Sequence, residues 1–92
     1  MNIQQLQKQL QQLHLRNIHA VTVRPRQFVV SAGRCKMTIR NDGVVKKLVD
    51  FKHKRIYLNE EVNHTERDEK FTVLCGIYSL SRFVDICNKS EN

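Results

Sequence analysis

The run Arg34-Cys35-Lys36-Met37-Thr38-Ile39-Arg40, followed at once by Asn41-Asp42-Gly43, leaves this chain few folds to choose from. Side chains alternate across a β-strand, so the run sends Cys35, Met37 and Ile39 to one face and Arg34, Lys36, Thr38 and Arg40 to the other. Asp-Gly between two strand-like runs is a hairpin signal, because glycine tolerates the positive φ of a tight reversal. Val44-Val45-Lys46-Lys47-Leu48-Val49-Asp50-Phe51 supplies the return strand. One face of this ribbon builds a core, and the other meets water or a polyanion.

The flanking sequence extends the same architecture. Ile3, Leu6, Leu10 and Leu13 recur at three and four residues, which predicts an amphipathic helix over Met1 to Leu15 with Asn2 as its N-cap. Its other face is almost entirely glutamine. His14 to Asn17 end that helix, and Ile18 to Val23 has the β-branched content of a strand. Pro25, lacking an amide proton and pushing its predecessor to an extended conformation, marks the turn Arg24-Pro25-Arg26. Gln27 to Ala32 forms a second strand, and Gly33 turns it into the alternating run. Ile56-Tyr57-Leu58 adds a brief edge strand, with Lys52-His53-Lys54-Arg55 discouraging sheet-to-sheet association. Asn59 to His64 reads as a loop and Thr65 to Asp68 as a helix start. Residues 70–78 fit both periods: Phe71, Val73, Cys75 and Ile77 suit a strand, whereas Phe71, Leu74, Cys75 and Tyr78 suit a helix. The acidic lead-in and the length favour helix, although Gly76 costs it up to about 1 kcal/mol. Ser79 caps a last helix in which Leu80, Phe83, Val84 and Cys87 share a face, with Asn88 to Asn92 fraying. The expected fold is therefore α+β: an antiparallel β-meander of three to five strands with an N-terminal helix and one or two C-terminal helices. It forms a single domain over 1–92, with a basic sheet region at 18–58 and a helical C-terminal region at 65–88.

A chain of 92 residues has a small core and little room for a deep substrate cleft. Cys35, Cys75 and Cys87 are odd in number and widely spaced, with no secretory leader read before them. A disulfide framework is not expected, and all three read as buried core thiols in a cytoplasmic protein. No apolar run reaches the length of a membrane span. His14, His19, His53 and His64 form no short-spaced pairs with each other or with the cysteines, so no metal site is expected. Three scattered glycines make no phosphate loop, and nothing beside Cys75 signals a base or an oxyanion site. No cofactor and no enzymatic activity are expected.

Charge points elsewhere. Residues 24 to 55 hold ten basic residues and two acidic ones, while the Glu60 to Glu69 segment is acidic. A merely solubilising surface intersperses its signs; here they segregate, which favours a polyanionic partner. The candidate nucleic-acid-binding residues are Arg24, Arg26, Arg34, Lys36, Arg40, Lys46, Lys47, Lys52 and Lys54. Arginine forks onto a phosphate while lysine acts as a point charge, so the arginines carry the oriented contacts. Phe28 and Phe51 are assigned to the core, which leaves no aromatic stacking platform. Binding is expected to follow the phosphate backbone and to weaken with salt.

A small, single-domain, intracellular α+β chain with no catalytic motif and a concentrated charged face, beginning Met1-Asn2-Ile3-Gln4-Gln5-Leu6, resembles the phage anti-CRISPR proteins directed at the type I-F surveillance complex. The likeness is of the whole chain and carries over no functional residue. It implies a stoichiometric, non-enzymatic inhibitor that binds Cas protein subunits and guide RNA in the host cytoplasm and blocks target DNA recognition; apart from the likeness, the free chain is expected to be a monomer, although Leu6, Leu10 and Leu13 could serve a dimer as readily as a core. A basic inhibitor would approach the guide RNA with its cations, and the Glu60 to Glu69 segment would face basic Cas subunits. Two other readings stay open: a small DNA- or RNA-binding accessory protein that acts alone, and a protein-only antitoxin or immunity module.

Overall fold

A computed structural model describes residues 1–62 and 67–91. Helix α1 spans Ile3–Gln12. Asn2 caps it reciprocally: the Gln5 amide donates to Asn2 Oδ1 at 2.9 Å, and the Asn2 amide donates to Gln5 Oε1 at 2.9 Å. Leu6 and Leu10 are wholly buried beneath it, as their spacing predicts. His14 and Asn17, with φ of 60° and 63°, end the helix and turn the chain into the sheet.

Six strands follow: β1 (Ile18–Val23), β2 (Gln27–Ala32), β3 (Cys35–Arg40), β4 (Val45–Asp50), β5 (Arg55–Asn59) and β6 (Thr72–Gly76). They lie side by side in chain order, so each hairpin pairs with its neighbour. The first five form the expected antiparallel meander. The sheet exceeds it by one strand and is mixed, because β6 returns parallel to β5. Within residues 70–78, Thr72–Gly76 is thus strand, and none of them is helix. Both periods are present there, and the free edge of β5 decides between them by offering a ladder of backbone partners, beginning with the Thr72 amide donating to the Lys54 carbonyl at 2.9 Å. For the same reason β5 is interior, not an edge.

Of the helical region expected at 65–88, one helix exists among the described residues, α2 (Leu80–Ser90); Thr65 and Glu66 lie outside them, and Arg67 and Asp68 belong to no helix. Ser79 caps α2 by accepting from the Arg82 amide at 3.1 Å. Phe83, Val84 and Cys87 are buried. The end of α2 does not fray at Asn88. Its side chain accepts from the Arg16 amide at 3.0 Å and donates to the His14 carbonyl at 3.0 Å, clasping the connection between α1 and β1. Ser90 is buried against Cys35.

Both helices cover one sheet face. Phe28, Val30, Ala32, Cys35, Met37, Ile39, Val45 and Leu48 point into a single cluster with Leu6, Leu10, Phe83 and Val84. The register places Ser31, Lys36, Val49 and Ile56 in one row of the opposite face, and Thr22, Val29, Thr38, Lys47 and Leu58 in the next. Two expectations about individual side chains are corrected. Phe51 is half exposed in the β4–β5 turn, stacked edge-on with Phe71, because it falls one residue past the end of β4. Cys75 is exposed, because β6 is an edge strand covered on neither face as fully as the interior strands.

Candidate nucleic-acid interface

The β3 alternation sends Cys35, Met37 and Ile39 into the core and leaves Lys36 exposed on the far face. Arg34 lies one residue before the strand, in the β2–β3 turn, where its carbonyl accepts from the Phe51 amide at 3.0 Å. Lys36 and Lys47 are the basic side chains in the middle of that face, among neighbours such as Ser31, Thr38 and Val49. Lys47 is half-buried and engaged.

The remaining cations collect at the two ends of the sheet. In a meander every second turn shares an end, so the β1–β2 turn with Arg24 and Arg26 lies beside the β3–β4 hairpin with Arg40. The Asn41 amide, donating to the Arg26 carbonyl at 3.0 Å, ties these two turns together. The β2–β3 turn with Arg34 and the β4–β5 turn with Lys52 and Lys54 lie at the other end. One strand of six residues, about 20 Å, separates the groups. The cations that the sequence reading puts on one face, Arg34, Lys36 and Arg40 among them, are therefore divided between two sheet ends, with Lys36 between them.

Not every cation is available for a partner. The Arg40 guanidinium forks onto Asp42, with Nε donating to Oδ1 at 2.9 Å and a second bond from Nη2 to Oδ2. That contact, with the Val44 amide donating to Oδ1, holds the Asp42 carboxyl at about 2. Lys46 is the extra residue of a β-bulge opposite Thr38 and Ile39, and its Nζ donates to Gln27 Oε1 at 3.3 Å. Arg24, Arg26, Arg34, Lys36, Lys52 and Lys54 are exposed and without a side-chain partner among the described residues. Of the acidic segment, Glu60, Glu61, Asp68 and Glu69 are exposed, and Glu66 lies outside the described residues.

The fold also assembles a second group of polar residues, which the sequence does not announce. Asp50, buried at the end of β4, accepts from the Lys52 and His53 amides at 3.0 and 3.1 Å. His53 Nδ1–H donates to its second oxygen at 2.8 Å, which turns the Nε2 edge outward. Arg55, Arg82 and Lys89 line the same cleft. Their separation along the chain hides this grouping; the only local sign is the seven-residue spacing of Arg82 and Lys89, which places them on one helix face.

The buried thiols offer no comparable chemistry. Cys87 Sγ donates to the Ala32 carbonyl at 3.6 Å; the neighbouring Cys35 thiol, with burial, pushes Cys87 up, while the side chains of Cys87 and Ser90 lower Cys35. Among the described residues no group of three or more histidine, cysteine, aspartate or glutamate side chains could hold a metal ion, and no helix is long and apolar enough to cross a membrane. Comparison with protein-family models, with curated proteins and with solved structures finds no match to this chain.

Proposed function

We propose that this chain is a non-enzymatic protein that binds the phosphate backbone of a nucleic acid through the two basic ends of its sheet, with Lys36 between them. The observation that carries this reading is the set of six exposed cations without side-chain partners among the described residues, Arg24, Arg26, Arg34, Lys36, Lys52 and Lys54. Exposed cations with no carboxylate to neutralise them release counterions from a polyanion at little cost to the fold. Arg40 and Lys46, engaged within the protein, play a supporting part, and Lys47 is likewise occupied. The setting that the resemblance supplies is inhibition of a type I-F CRISPR surveillance complex, with the basic ends on guide RNA and the acidic segment against Cas subunits.

The test is capture of tagged protein mixed with assembled type I-F complex, and separately with free RNA and duplex DNA, at low and high salt. Recovery of Cas subunits with guide RNA, abolished by combined substitution of Arg24, Arg26, Lys52 and Lys54 by glutamine, supports the inhibitor. Retention of free nucleic acid without Cas subunits favours the accessory binder. Salt-independent capture of one protein partner, unaffected by the substitutions, overturns backbone binding.

A further inference from the structure

Beside α2, on the helix-bearing side of the sheet, lies a cleft of about 300 Å³. Two elements contribute three cations to it: Arg55 from the start of β5, and Arg82 and Lys89 from the first and last turns of α2. None of the three has a carboxylate within ion-pair distance among the described residues. Two acidic residues line the cleft, and one is already committed: Asp50 is buried and accepts three hydrogen bonds from Lys52 and His53. Asp85, exposed on α2, stands one turn from both Arg82 and Lys89, and pairs with neither. The cleft therefore has positive charge to spare. His53 is held by the buried carboxylate with Nε2 turned away from it, and half-buried Tyr57 forms part of the wall.

We propose that this cleft is a binding site for a phosphate monoester, held by Arg55, Arg82 and Lys89, with His53, in its imidazolium form, adding an Nε2–H donor while Nδ1–H stays on Asp50. A monoester carries close to two negative charges near neutral pH and three terminal oxygens, which matches a cleft with cations on both its α2 wall and its β5 wall. A backbone diester carries one charge and two free oxygens, a poorer match to the cations lining the cleft. The cleft volume is at the small end of ligand pockets, enough for a phosphate with a sugar-sized remainder. The site is independent of the proposed backbone contacts, whose cations are other residues.

The test is titration of the isotope-labelled full chain, followed by NMR, with inorganic phosphate, a nucleoside 5′-monophosphate, and one oligonucleotide in 5′-phosphorylated and 5′-hydroxyl forms. Inorganic phosphate and the nucleotide are expected to give saturable shifts confined to His53, Arg55 and residues 82–89, and the phosphorylated oligonucleotide to shift these residues more than the hydroxyl form does. A nucleotide binding more tightly than inorganic phosphate identifies a nucleotide as the source; equal binding identifies the phosphate group alone. Arg82 and Lys89 are exposed on α2, and glutamine preserves helix propensity there, so R82Q/K89Q should keep its melting temperature and lose about tenfold or more in affinity. R24Q/R26Q should leave the shifts caused by inorganic phosphate and by the nucleotide unchanged. Absence of saturable shifts overturns the site, as do equal responses to the two oligonucleotides or an undiminished response in folded R82Q/K89Q.

Discussion

At residue scale, the β3–β4 hairpin shows how a charge read as an outward-facing contact is used inside the molecule. Arg40 and Asp42 are two residues apart, and Gly43, with φ of 95°, closes the turn that brings them together. The Asp42 carboxyl, held at about 2, lies below its ordinary value near 3.9, so its ionised form is favoured by folding. The contribution is complete above the unfolded value and disappears as pH falls through the folded one. A carboxyl NMR titration should find Asp42 well below an ordinary aspartate, and molar salt should raise its midpoint, since the pair is exposed. Asn59 is the opposite case, a buried amide that donates to the Val45 carbonyl at 2.8 Å and the Tyr78 carbonyl at 3.3 Å. It links the bulged start of β4 to the segment that leads into α2. Asn59→Ala should destabilise the fold by about 1–3 kcal/mol, measured by urea denaturation, because both carbonyls lose a buried donor.

At the scale of elements, α2 holds the sheet to the rest of the chain. Its Phe83 is wholly buried and packs obliquely against Tyr78 at 5.2 Å between ring centroids, and Tyr78 meets Tyr57 of β5 edge-on. Phe83→Ala should cost about 3–5 kcal/mol in chemical denaturation, since neighbours fixed by the sheet cannot collapse fully into the cavity. The Asn88 clasp on the α1–β1 connection then explains why the last turn of α2 stays formed where the sequence alone suggests fraying.

At the scale of the whole molecule, the sheet sets about 20 Å between the two basic ends, so one phosphate cannot engage both. Substitutions R24Q/R26Q and K52Q/K54Q should then weaken nucleic-acid binding additively. Removing one cation from a phosphate should reduce the slope of log affinity against log salt by about 0.7–0.9. Strong non-additivity would place the two pairs on a single phosphate. The first four strands, the Asp-Gly hairpin, the caps at Asn2 and Ser79 and the buried faces of both helices were determined by the sequence itself. The signals for each lie within a few residues: a two- or three-to-four-residue apolar period, a side chain that reaches the next turn's amides, a glycine free to take positive φ. Only the tertiary structure decided that residues 72–76 are a parallel strand, since the free edge of β5 supplied the hydrogen bonds that two competing periods left unassigned. It also split the cations of one strand-like run between two sheet ends, and gathered Arg55, Arg82 and Lys89 around His53, because chain reversal sets which distant residues become neighbours.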